Sequence, residues 1–345
     1  MVAHYSSYYA FDFYVNWFRE YASEIVSIFF VLAGYGAWFS FTRIMRRREG
    51  RRPGTREVAG YYWKRALRIY PLYWLALFTV AFILPEYAEL HRLSLHTAAV
   101  YLGYPGVVAP GVYWFIPALI QCYLLAPVFY LTLAKLGHRR YLVVTGLLVV
   151  LAMGISRYYA QILDVIDGFG IPDPEALFYR SLFLANVILF ALGMAIPRLA
   201  AGKMLQRGGY LFFVVSLTLF GAMILAVRDP DALFTRSHFY LFPLFIFSVF
   251  ALCLSLLSMK PALPFLKLIG PLGERSYPLY LFHRHYFGLL AAAGLIGIGA
   301  WSVVCTLALF PAFFLLCMAM EGGLGRVWAA IGRWLKQPWG IPSQP

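Results

Sequence analysis

The chain has 345 residues, of which 62% are hydrophobic, 19% aromatic and only 13% charged. A water-soluble domain of this length carries about a quarter charged residues, so a soluble globular protein is excluded. Sparse charge and many aromatic rings exclude a disordered chain, and the 29 glycines follow no three-residue period, which excludes a collagen-like fibre.

What remains is a chain whose solvent is lipid. A helix needs about twenty apolar residues to cross the hydrocarbon core, and lipid forces each spanning segment to satisfy its own backbone. Runs of that length, bounded by charge, Pro or Gly, fall at 22–43, 67–84, 113–134, 141–160, 179–197, 209–227, 238–259, 277–298 and 300–320. The prediction is an all-α integral membrane protein, a multi-pass bundle with nine full transmembrane helices.

The formal net charge of +14 would point to nucleic acid in a soluble protein. Here the basic residues sit in the gaps between spans, so no nucleic-acid partner is expected. Ten of the 29 Lys and Arg lie in residues 43–68, RIMRRREGRRPGTREVAGYYWKRALR, and short cytoplasmic loops collect such an excess. Alternating from that loop brings Lys135, Arg139 and Arg140, then Arg198, Lys203 and Arg207, then Lys260, Lys267 and Arg275, then Arg326, Arg333 and Lys336 to the same side. Twenty-two of 29 basic residues are thus expected to be cytoplasmic, while Glu86, Glu89, Asp164, Asp167, Asp229 and Asp231 fall outside. The expected location is the cytoplasmic (inner) cell membrane, with membrane lipids as constant partners.

Cys122, Cys253, Cys305 and Cys317 lie in apolar runs without metal-site spacing, and read as core residues. No cleavable signal peptide, internal repeat or appended soluble domain is visible, so residues 1–345 read as a single transmembrane domain. The tail after Glu321 is short, basic and Trp-bearing, like an interfacial anchor. The same alternation makes residues 5–20 extracytoplasmic with four residues before them. The chain therefore either begins outside or starts within what would be a first transmembrane helix.

Ionisable groups in or beside membrane helices are costly, and mark candidate sites. His4, before Tyr5 and Ser6, would lie near the outer end of whatever membrane segment opens the chain, where an imidazole can take a proton from a hydroxyl. Arg65 and Arg68 share one helical face, with Lys64 one turn from Arg68; clustered guanidinium groups bind phosphates well, and the bland alternative is a topogenic anchor. In GERSYPLYLFHRHYF, Ser276, Tyr280 and His283 recur at helical spacing while Tyr277 and Arg284 form an adjoining strip, and His285 adds a second imidazole. So many polar groups on one membrane helix are expected to line a polar path. Glu24, one turn after Glu20, is either a further site residue or a carboxylate reaching to the interface. The chain lacks GxSxG, HExxH, Walker and Rossmann signatures, which removes the easily read hydrolase, zinc protease and nucleotide-driven pump classes, and no metal is expected.

Four segments resemble the acyltransferase family 3 group of multi-pass membrane enzymes. Residues 29–35, FFVLAGY, are similar to its FFVLSG segment, with Ala33 for Ser. Residues 65–71, RALRIYP, resemble RxxRIxP; 114–127, WFIPALIQCYLLAP, is similar to W…YLL.P; and 276–283, SYPLYLFH, resembles SYxLYLxH. Glu321 stands where members often carry a Glu.

The resemblance implies ten transmembrane helices, the first holding an Arg and, eleven positions later, a catalytic His. His4 matches that histidine; the Arg has no counterpart here, which implies a remnant of the first helix, or an inactive scaffold if Met1 is the true start. Leu119 and Ile120 stand where many sugar-modifying members carry a Glu pair, which sets this chain apart from that branch. The implied reaction moves an acyl group, usually acetyl, from cytoplasmic acyl-CoA (acetyl-CoA) to a hydroxyl of a cell-surface or lipid-linked glycan. On that reading His4 and Glu24 are catalytic, Arg65, Arg68 and Lys64 hold the donor, and Ser276, Tyr277, Tyr280 and His283 line the path. The rival class, a transporter or flippase of lipid-linked sugars, predicts repeats and paired broken helices, and neither is visible.

Overall fold

The computed structural model describes residues 28–49, 52–104, 111–168, 184–200, 276–295 and 300–336, with a few helical positions between 214 and 221. Among these the chain is helical, without strands. In chain order the helices are α1 (Ile28–Arg47), α2 (Thr55–Ile83), α3 (Leu95–Leu102), α4 (Phe115–Lys135), α5 (His138–Arg157), α6 (Tyr159–Asp167), α7 (Leu184–Ala200), α8 (Ser276–Ala292) and α9 (Ala300–Lys336). Short 3₁₀ turns at Pro85–His91 and Gly111–Trp114 follow α2 and precede α4.

Five helices among the described residues are long and apolar enough to cross a membrane: α1, α2, α4, α5 and the Val304–Val327 part of α9. Phe78, Phe82, Leu124, Val128, Leu147, Leu307 and Leu315 stand exposed on their outward faces. Exposed apolar surface on that scale is stable against lipid, not water. The protein is an all-α, multi-pass membrane protein.

Helix boundaries match the apolar runs where charge ends the run sharply, as in α4 and α5. They depart where charged sequence remains a good helix former. The expected loop 43–68 shrinks to the turn between α1 and α2, because α2 starts at Thr55 and its basic first turns are helical. An ion pair joins the two sides of that turn, Arg48 Nη1 to Glu57 Oε1 at 3.1 Å, and Glu49 takes the left-handed φ of 52°. The tail after Glu321 continues as helix to Lys336. The spans expected at 209–227 and 238–259 lie largely or wholly outside the described residues.

The helices fall into two compact units that interleave in sequence: one comprises residues 21–62 and 102–269, the other 1–20, 63–101 and 270–345. In the first, α1 buries Phe30, Gly34, Ala37 and Phe41, spaced to form one stripe, and lays it along α7. The crossing is as close as backbones allow. A Cβ at Gly34 would strike the Phe190 carbonyl, and one at Gly193 the Val31 carbonyl. Without a hydrophobic drive between helices in lipid, such small-residue contacts supply the packing. Phe115 sits edge-on to Phe29 and Phe30, with centroids 5.8 and 4.9 Å away. At the far end of α4, Arg198 donates to the carbonyls of Leu133 (2.8 Å) and Leu136 (2.7 Å), satisfying groups that a helix end leaves open. Its guanidinium also lies 4.5 Å above the Tyr141 ring, and the Tyr141 hydroxyl donates to the Ala195 carbonyl.

In the second unit, α3 is pinned to α2 by two donors from consecutive residues. The buried Tyr73 hydroxyl reaches the Val100 carbonyl at 2.7 Å, and Trp74 Nε1 reaches the Tyr101 carbonyl at 2.8 Å. Helix α8 packs on α9 through Tyr286, whose ring stacks on Phe313 at 4.6 Å and whose hydroxyl donates to the Thr306 carbonyl.

Candidate functional site: a polar seam between α2 and α8

The second unit holds most of the sequence-predicted site residues. Arg65 and Arg68 sit in α2 before Pro71, where a proline removes one backbone donor from the helix interior. Arg68 and Lys64 are exposed and Arg65 half-buried, with the exposed Trp63 beside them.

Helix α8 runs parallel to α2, as three contacts at successive levels show. Tyr277 donates its hydroxyl to the Ile69 carbonyl at 2.7 Å, one residue beyond Arg68. His285 Nε2 lies 2.7 Å from Thr79 Oγ1. At the next turn a Cβ on Gly288 would come 3.0 Å from Ile83 and 2.8 Å from Leu84, so its absence lets the helices close. From Arg68 to Thr79 is eleven residues, about 16 Å along the axis. The seam therefore carries polar groups from a cationic end well into the apolar span.

Between those levels stand the remaining expected residues. Ser276 and Tyr280 are half-buried and His283 is buried. His283 Nδ1 contacts the Tyr280 carbonyl one turn back. A carbonyl only accepts, so Nδ1 carries the proton and Nε2 the basic lone pair. Toward the Ile83 end, Arg284 Nη2 lies 3.5 Å from the Tyr87 hydroxyl, and the guanidinium carbon is 6.0 Å from that ring's centre.

Sequence reasoning missed Thr79, Tyr73 and Tyr87. Each looked like an ordinary apolar-run or loop residue, and the contact that matters here, to His285, the Val100 carbonyl or Arg284, comes from another element. Reading α2 and α8 side by side, with hydroxyls and imidazoles marked, would have been the available signal. His4 and Glu24 lie outside the described residues. Among the described residues, no three His, Cys, Asp or Glu side chains gather as a metal site.

Cations at one end of a polar seam in a multi-pass helical bundle define the class only as a helical membrane protein with polar groups set between two of its helices. The family model for the acyltransferase domain Acyl_transf_3 matches residues 1–322, and the chain belongs to that family of membrane acyltransferases. No curated protein and no solved structure matches the chain significantly.

Proposed function

We propose that this protein is an O-acyltransferase of the cytoplasmic (inner) membrane. It takes an acyl group, acetyl in the simplest case, from cytoplasmic acyl-CoA and gives it to a hydroxyl of a cell-surface or lipid-linked glycan. The observation that carries the reading is the α2–α8 seam: Tyr277 ties α8 to the turn bearing Arg65 and Arg68, and polar groups continue from there to His285. The basic loops are cytoplasmic on this reading, following the charge asymmetry of the sequence.

Arg65 and Arg68, with Lys64, would hold the CoA phosphates, because forked guanidinium donors match phosphate oxygens. Ser276, Tyr277, Tyr280 and His283 would line the way for the pantetheine arm. His4, assigned through the resemblance, would take the proton of the acceptor hydroxyl while that oxygen bonds to the thioester carbonyl carbon. The C–S bond breaks, and the proton ends on the CoA sulfur. Glu24 is assigned as a supporting carboxylate.

The test is acetyl-CoA binding and turnover by the full chain in lipid nanodiscs. Arg65→Ala and Arg68→Ala should each weaken acetyl-CoA binding by roughly ten- to a hundredfold, the loss of a charge-assisted contact of ~1.5–3 kcal/mol. Unchanged affinity in both variants would return these residues to a purely topogenic role.

A further inference from the structure

The Thr79–His285 pair carries more than a helix-to-helix bond. Thr79 Oγ1 lies 2.7 Å from its own Leu75 carbonyl as well as 2.7 Å from His285 Nε2. The hydroxyl has one proton, and the carbonyl can only accept. Both short contacts hold a proton in one arrangement: Thr79 donates to Leu75, and His285 Nε2–H donates to Thr79. His285 Nδ1 is then a bare lone pair. It is buried and makes no hydrogen bond, on a side chain only 6% exposed, while the imidazole also lies against the Ala76 backbone carbonyl. Nearly all buried polar atoms in native proteins are matched, so an open acceptor in an apolar span calls for an explanation. The Phe282 ring is centred 4.9 Å from the imidazole.

We propose that His285 Nδ1 is a binding subsite for a hydroxyl of the acyl acceptor, an inference that rests on the acyltransferase reading above. It is a holding contact and not the reacting base. The proton chain from Nε2 ends on the Leu75 backbone carbonyl, which can pass nothing on, and an imidazolium formed there would lose water's solvation without gaining a counter-charge. Its ligand is therefore an uncharged donor, a sugar-type hydroxyl, met on the same seam that begins at Arg68. Thr79 is the positioning residue, because it sets the tautomer that leaves Nδ1 open.

Two substitutions separate this role from simple helix bonding. His285→Gln places an amide N–H near the Nε2 position, keeping the bond to Thr79 and losing the acceptor at Nδ1. His285→Asn does the reverse, offering an amide oxygen near Nδ1 and no reach to Thr79. The full chain in nanodiscs is assayed for CoA thiol release from acetyl-CoA, with hexyl β-D-glucoside as the hydroxyl probe. The expected result is a KM for the glucoside raised about three- to tenfold in the Gln variant, with the acetyl-CoA KM unchanged and the Asn variant close to the parent. The opposite order, Gln like the parent and Asn impaired, would show that the imidazole only joins α2 to α8. Should the Asn variant fail to insert, an unchanged glucoside KM in the Gln variant overturns the subsite by itself. A parent protein that binds acetyl-CoA but releases no thiol overturns the underlying reading and the subsite with it, before any variant is compared.

Discussion

Tyr277 holds a backbone carbonyl. Its hydroxyl donates to Ile69, so the motif that begins α8 acts as a strut for the turn of α2 that carries Arg65 and Arg68. Tyr277→Phe should cost about 1 kcal/mol of stability, the net worth of one neutral hydrogen bond. If those arginines hold the donor, its KM should rise a few-fold while kcat stays near the parent, because the loosened strut affects positioning and not chemistry. Steady-state kinetics against acetyl-CoA in nanodiscs would read this; a fall in kcat alone would assign the phenol a direct part. Arg65, Arg68, Ser276, Tyr280 and His283 were legible from sequence because charge, hydroxyls and imidazoles at helical spacing stand out in apolar surroundings. The Thr79–His285 partnership was not, since it joins residues 206 positions apart and exists only through tertiary packing.

At the scale of elements, the α1–α7 crossing depends on two glycines facing each other's backbones. Gly34→Leu or Gly193→Leu must push the helices apart, because the colliding atoms are backbone carbonyls with nowhere to rotate. Overpacking of this kind typically costs ~1–3 kcal/mol, and thermal melting in nanodiscs should show both variants well below the parent. Gly36, with open space around it, serves as the control: Gly36→Ala should melt within a degree or two of the parent, or above it, since Ala suits a helix better. The extents of α2 and α9 were the elements the sequence concealed. Apolar runs mark where lipid begins and ends, whereas a helix continues as long as its residues favour one. The stretch TREVAGYYWKRALR contains no proline to stop it.

For the whole molecule, the proposed orientation puts the α1–α2 turn in the cytoplasm and the Pro85–His91 turn outside. Glu49 and Leu93 are both exposed, which makes them suitable reporters. In a background lacking the four native cysteines, Glu49→Cys should resist a membrane-impermeant maleimide in intact cells and Leu93→Cys should react. Labelling of both from one side would break the alternation that assigned every basic loop.

Helix α9 has a further physical consequence. Its apolar run, residues 300–320 up to Glu321, is about 32 Å long, whereas that of α5, between Arg140 and Arg157, is about 24 Å. One protein thus presents lipid with spans on either side of the usual ~30 Å hydrocarbon thickness. A thin bilayer is met by tilting α9, which costs little; a thick one leaves α5 too short and draws its polar ends, His138 and Arg139 among them, toward the hydrocarbon. Hydrophobic mismatch should therefore be asymmetric. Melting temperatures in nanodiscs of graded phosphatidylcholine chain length should fall more steeply on the long-chain side than on the short, and a symmetric profile would show that the two helices do not set the match.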